Sequence, residues 1–77
     1  MFVRLYARPG CHLCDVAREV IEAERGRSAF TFEEVNVEED DRLELEYGIR
    51  IPVVTIDGRE AFDIEVDPEE FAALVRA

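Results

Sequence analysis

The segment Pro52-Val53-Val54-Thr55-Ile56 is apolar on both faces, and no other feature constrains the fold as much. Such a strand belongs in the interior of a sheet, where both of its faces are covered. Asp57-Gly58 follows it directly, the strongest short hairpin signal, and Arg59 to Phe62 returns as an antiparallel neighbour. The chain has 77 residues, which bounds it to one domain spanning residues 1–77. Folding at this size buries only about 60% of the unfolded chain's surface.

The remaining elements are read from hydrophobic period. Phe2-Val3-Arg4-Leu5-Tyr6-Ala7 is short and rich in β-formers, and predicts a strand that Pro9-Gly10 breaks. Leu13, Val16, Ala17, Val20 and Ile21 recur at helical spacing, with Asp15, Arg18, Glu19 and Glu22 on the other face. This predicts an amphipathic helix ended by Gly26. Phe30-Thr31-Phe32 and Val35-Asn36-Val37 predict a second strand, with a bulge or strand end where the alternation shifts at Glu33-Glu34. An acidic helix is expected from Glu39 to Tyr47, anchored by Leu43 and Tyr47 and stopped by Gly48. Asp67-Pro68-Glu69-Glu70 reads as a cap, a first-turn proline and a capping box, leading to a buried stripe of Phe71, Leu74 and Val75.

The order is β-α-β-α-β-β-α. The first two strands and the helix between them make a parallel unit, and the last two strands a hairpin. The expected architecture is α/β and thioredoxin-like, with three helices on a four-stranded mixed sheet.

Charge excludes one class of function. Nine basic residues against nineteen acidic give a net charge of −10, the wrong sign for a free-standing nucleic-acid binder. The excess lies in residues 31–77, which carry four arginines against fifteen carboxylates. A surface of that kind favours basic partners. The longest uncharged apolar stretch, Ile51 to Ile56, falls far short of the roughly 20 residues a membrane span needs. The first residues carry Arg4 within their apolar run and no small-residue cleavage site, so a cytoplasmic protein without a signal peptide is expected. A monomer is expected.

Both cysteines lie in Cys11-His12-Leu13-Cys14, after a strand and a Pro-Gly turn and at the start of a helix. Four explanations compete. A structural disulfide across so small a ring adds only about 2 kcal/mol. Zinc needs four ligands, and the motif supplies two, so a metal or a bridging iron–sulfur cluster would need a dimer or a foreign ligand. Two inert packed cysteines would place Cys11 on a turn, where core residues rarely sit. Redox chemistry fits the spacing and the context best. The thiolate is the nucleophile, and only about 3% of a thiol is ionised at pH 7 if its pKa is about 8.5. Unpaired N–H groups at a helix start favour the anion at Cys11, and Arg8 upstream adds positive charge. Cys11 is then the attacking thiol and Cys14, one turn on and partly buried, the resolving one. His12 either supports the Cys11 thiolate or points to solvent; spacing does not choose.

Leu5-Tyr6-Ala7-Arg8-Pro9-Gly10-Cys11-His12-Leu13-Cys14 resembles the opening of a glutaredoxin. Arg50-Ile51-Pro52-Val53-Val54 is similar to that family's segment ending in a cis-proline, and Ile56-Asp57-Gly58 to its hairpin turn. The matches run in the family's order from Phe2 to about Leu74. The resemblance implies a dithiol oxidoreductase in which Cys11 is the nucleophile and Cys14 the resolving thiol. It implies that Pro52 is cis and lies beside Cys11, that Ile51 offers backbone hydrogen bonds to the substrate, and that Arg8 contacts a glutathione carboxylate. Tyr6 and His12 are the neighbours expected to modulate the pair. The implied substrates are disulfide-bearing proteins or glutathione mixed disulfides. No cofactor is expected to be bound, and the electron donor is glutathione or a thioredoxin-reductase-type enzyme. The chain departs from the family at His12-Leu13, where Pro-Tyr is usual, and at Ala61-Phe62-Asp63-Ile64, where the family carries Gly-Gly and an acid. The alternative is a metal or cluster carrier that shares the motif across a dimer.

Overall fold

The computed structural model describes residues 1–76. Strand β1 (Phe2–Ala7) is followed by helix α1 (His12–Arg25), strand β2 (Thr31–Asn36) and a 3-10 turn at Val37–Glu39. Helix α2 (Asp41–Tyr47), strands β3 (Val53–Ile56) and β4 (Arg59–Asp63), and helix α3 (Pro68–Arg76) complete it. The four strands form one sheet in the order β2-β1-β3-β4. β1 pairs parallel with β2 and antiparallel with β3, and β3 pairs antiparallel with β4. This is the thioredoxin-like arrangement expected from the element order, with β3 in the interior.

Alternation along β1 divides the core. Val3, Leu5 and Ala7 face α1 and α3 and pack with Cys14, Ala17, Ile21, Val54, Phe71 and Val75. Tyr6 points the other way and packs with Val37, Val53, Leu43 and Tyr47 under α2. The larger core therefore lies between the sheet and the two longer helices, the smaller one beneath α2. At the hairpin, Asp57 (φ 51°) and Gly58 (φ 84°) are both left-handed, as a two-residue turn between twisted strands requires. At the start of α3 the Glu70 N–H donates to Asp67 Oδ2 at 3.0 Å, the capping bond the sequence predicts.

Three details differ from the sequence reading. The buried face of α1 is Cys14, Ala17, Ile21 and Glu24, while Leu13 and Val16 are each 42% exposed. The stripe is turned because a buried thiol packs as a small apolar group and a buried carboxylate here finds cationic partners, neither of which apolar spacing reveals. In α3, Leu74 is likewise half-exposed, and Phe71 with Val75 carries the contact. In β2 there is no bulge, since β1 and β2 pair in register from Phe2↔Thr31 to Ala7↔Asn36. Glu33 and Glu34 keep the alternation and each meets an arginine on its own face. Glu33 accepts from Arg4 at 2.8 Å, and Glu34 accepts two bonds from Arg18 at 2.6 Å. The irregularity in the sheet lies in the β3–β4 pair instead, at Val54/Thr55. The acidic helix begins two residues later than expected, with Asp40 capping Arg42 N–H at 2.8 Å.

Candidate functional site

Gly10 makes the turn into the site at φ 76°, where a side chain would meet no neighbour and the backbone angle alone favours glycine. Cys11 then caps α1 with extended backbone (φ −95°, ψ 109°), and its Sγ accepts the Cys14 N–H at 3.2 Å. Its carbonyl accepts the first helical bond, from Asp15 N–H at 3.1 Å. Cys11 and Cys14 are joined as a disulfide, with Cα atoms 5.2 Å apart. The two are unlike in access: Cys14 is fully buried, deeper than the sequence suggested, whereas Cys11 is only partly buried. Any attack from solvent therefore meets Cys11 first. Sulfur carrying negative charge also gains more from the Cys14 N–H than neutral sulfur does.

The second wall comes from the segment before β3. The Ile51–Pro52 bond is cis, and Pro52 is buried. The pairing Tyr6↔Val53 sets Pro52 at the end of β1, from which Arg8 to Gly10 lead to Cys11. Ile51 packs against the same cluster as Cys11. Among the described residues no backbone hydrogen bond engages Ile51. Ile64, at the end of β4, holds φ 68°, an uncommon state for a β-branched residue. Its N–H secures it by donating to the carbonyls of Pro52 at 2.8 Å and Arg50 at 3.1 Å.

The charged neighbours are already engaged. Arg8, expected to meet a substrate carboxylate, is ion-paired through Nη2 with Glu44 of α2 and donates to the Gly48 carbonyl at 3.1 Å. Arg50 is held by Glu60 at 2.6 Å and Asp63 at 3.5 Å. His12 is exposed to solvent. Tyr6 lies on the sheet face opposite Cys14, stacked on Tyr47 with ring centroids 4.2 Å apart, and its hydroxyl accepts from Arg4 at 3.4 Å. Burial, and then the Tyr6 hydroxyl, push the Tyr47 phenol above its ordinary value. Two cysteines are the soft donors the site holds, and no group of three His, Cys, Asp or Glu side chains converges among the described residues. No helix there is long and apolar enough to cross a membrane.

Two participants escape sequence reasoning. Glu44 is one acid in a run of acids, and its meeting with Arg8 depends on how α2 folds back. Ile64 has no signal at all, because its positive φ accompanies hydrogen bonds that its N–H donates to the carbonyls of Arg50 and Pro52, which only the fold brings close.

Comparison with known proteins agrees with this geometry. The family described as "Glutaredoxin-like domain (DUF836)" matches residues 2–76. The chain is 28% identical to a "Glutaredoxin-like protein YDR286C homolog" of Dictyostelium discoideum, over 88% of this chain and 68% of that protein. Among solved structures it is similar to protein XcR50 from X. campestris, at 39% identity and TM-score 0.77, covering 96% of this chain and 95% of that one. A mutant thioredoxin from Halobacterium salinarum NRC-1 shares the fold at 20% identity and TM-score 0.69, covering 97% of this chain and 71% of that one. A redox-type role is supported by the glutaredoxin-like domain matched over residues 2–76 together with the Cys11–Cys14 pair at the head of α1, and the chain belongs to the glutaredoxin-like family.

Proposed function

We propose that the protein is a dithiol thiol–disulfide oxidoreductase. The observation that carries this is the unequal access of the two sulfurs: Cys11 only partly buried and capping a helix, Cys14 fully buried behind it. In the reduced form the Cys11 thiolate attacks one sulfur of a substrate disulfide. A mixed disulfide forms, and the first substrate thiolate leaves. Cys14, as thiolate, then attacks Cys11 Sγ and expels the second substrate thiolate. Two electrons pass to the substrate, and the Cys11–Cys14 disulfide is left.

The free backbone of Ile51 supports a role in orienting the substrate chain, with Pro52 holding that segment beside β1. Arg8 in this reading fastens α2 to the turn that carries Cys11. A donor thiol, from glutathione or a reductase, regenerates the dithiol, which suits a reducing compartment such as the cytosol.

A redox titration in glutathione buffers, read by alkylation and intact mass, tests the reading. The expected result is reversible loss of two thiols within one chain, with a midpoint between about −270 and −180 mV. Added glutathione mass at intermediate ratios identifies glutathione as the donor, and its absence points to a reductase. Thiols that never pair, or that pair only between chains, overturn the proposal.

A further inference from the structure

The oxidoreductase reading leaves the substrate class open, and the surface beside the dithiol narrows it. A groove of about 430 Å³ runs from Leu13, between the two cysteines, to Ile64, beside Pro52. Val16 and Phe62 also line it. Leu13, Val16 and Ile64 are 42%, 42% and 47% exposed, so the groove presents apolar side chains that the fold leaves uncovered. Its rim is acidic. Glu65, Asp67 and Glu70 line the edge, and none of them is ion-paired among the described residues.

The two arginines nearest the cysteine turn and Pro52 already have carboxylate partners of their own. Arg8 is committed to Glu44 and the Gly48 carbonyl, and Arg50 to Glu60 and Asp63. An anionic substrate approaching Cys11 therefore meets unpaired carboxylates on one side and neutralised arginines on the other. A cationic one meets attraction, over an apolar floor that can seat a side chain.

We propose that this groove docks an extended polypeptide that carries the substrate disulfide, with an apolar residue next to the cysteine and lysine or arginine flanking it. The proposal rests on the oxidoreductase reading and names that reaction's substrate class. The groove seats the apolar residue, and Glu65 and Glu70 attract the flanking basic residues. Small anionic disulfides are disfavoured at the same site.

Two synthetic disulfide peptides test it with the full chain. Both carry leucine beside the cysteine, one flanked by arginines and the other by glutamates. At low salt the basic peptide is expected to be reduced with kcat/KM about tenfold above the acidic one, mostly through KM. The ratio shrinks toward unity near about 0.5 M salt, where screening is short-ranged. The paired substitution Glu65→Gln/Glu70→Gln collapses the ratio at low salt. Equal rates for the two peptides at low salt, or a ratio unaltered in that variant, overturn the proposal. Binding is read separately, from amide shifts in the Cys11→Ser protein titrated with the S-methylated basic peptide. Shifts centred on Leu13, Val16 and Ile64 support the groove, and shifts confined elsewhere overturn it. If these shifts appear while neither peptide disulfide is reduced, the oxidoreductase reading fails and the docking site stands. If both peptides are reduced equally without shifts at the groove, the docking site fails and the chemistry stands.

Discussion

The two ends of α1 follow opposite rules. At the C-terminal end, Glu24 is only 4% exposed, and its carboxylate is held by several partners. Arg76 of α3 donates to both oxygens at 2.7 and 3.0 Å, Ser28 donates at 2.6 Å, and Arg27 lies 3.6 Å away. This cluster ties the last turn of α1 to the last turn of α3. At the N-terminal end, apolar Leu13 and Val16 face solvent and Cys11 keeps part of its surface accessible, while the arginines nearby are already paired. Satisfied interactions collect at the end of the helix that ties it to α3, and uncovered apolar groups at the end that carries the cysteines. The middle of α1 belongs to neither end: Ala17 and Ile21 are buried against β1 and α3.

The comparison can be broken at each level. The largest effect is expected at the open end, where Cys11→Ser lowers disulfide reduction by more than about a thousandfold, because the attacking sulfur is gone. Cys14→Ala allows the first step and accumulates a mixed disulfide on Cys11, seen as added substrate mass. A mixed disulfide that accumulates instead on Cys14 in the Cys11→Ser protein would reverse the assigned roles.

Next comes the buried middle. Ile21→Ala is expected to cost about 2–5 kcal/mol in urea unfolding, because the cavity closes poorly in a packed core. Val16→Ala, one turn earlier and half-exposed, is expected within about 0.5 kcal/mol of the parent. Equal losses would show that the exposed residues of α1 are held as firmly as the buried ones.

The closed end is expected to show itself in pH. The bonds from Arg76, and then from Ser28, hold the Glu24 carboxyl below the ordinary carboxylate value. A carboxyl lowered on folding adds stability above its unfolded pKa, about 4.3, and loses it as pH falls through the lower folded value. Melting temperature should therefore drop through that acid window in the parent and drop less in Glu24→Gln, which starts lower at neutral pH. Parallel curves for the two proteins would remove the clamp from the account.

The smallest effect is expected at the Arg8–Glu44 pair. Both side chains are about a third or more exposed, so Glu44→Gln should change stability by less than about 1 kcal/mol. The same change frees the Arg8 guanidinium, and should raise the rate with oxidised glutathione relative to a neutral disulfide. No change in that ratio would mean that the paired arginines do not set the charge preference of the site.

Much of this was legible in the residues. The apolar run at Val53–Ile56 and the Asp57-Gly58 turn placed the interior strand and its hairpin. Asp67 and Pro68 marked the start of α3, and Cys11 after Pro9-Gly10 marked the site. The misread parts share a cause. The phase shift at Glu33-Glu34 reads as a bulge or a strand end because two adjacent exposed acids interrupt the apolar alternation, whereas the ladder with β1 carries the strand through them and Arg4 and Arg18 come from distant segments to meet them. The α1 stripe was assigned one position off because Cys14 and Glu24 were not counted as core.

By itself, the sequence determined the local elements, their order and the dithiol at the head of a helix, since period, caps and turn residues act over a few positions. Only the tertiary structure decided which carboxylates are buried, that Arg8 and Arg50 are neutralised, and that Ile64 stands at positive φ beside Pro52. Those outcomes depend on pairings between residues 10 to 52 positions apart, from Arg50 with Glu60 to Glu24 with Arg76. Charge attraction and hydrogen bonding act through space, and no local pattern of residue types records which partners the fold will bring together.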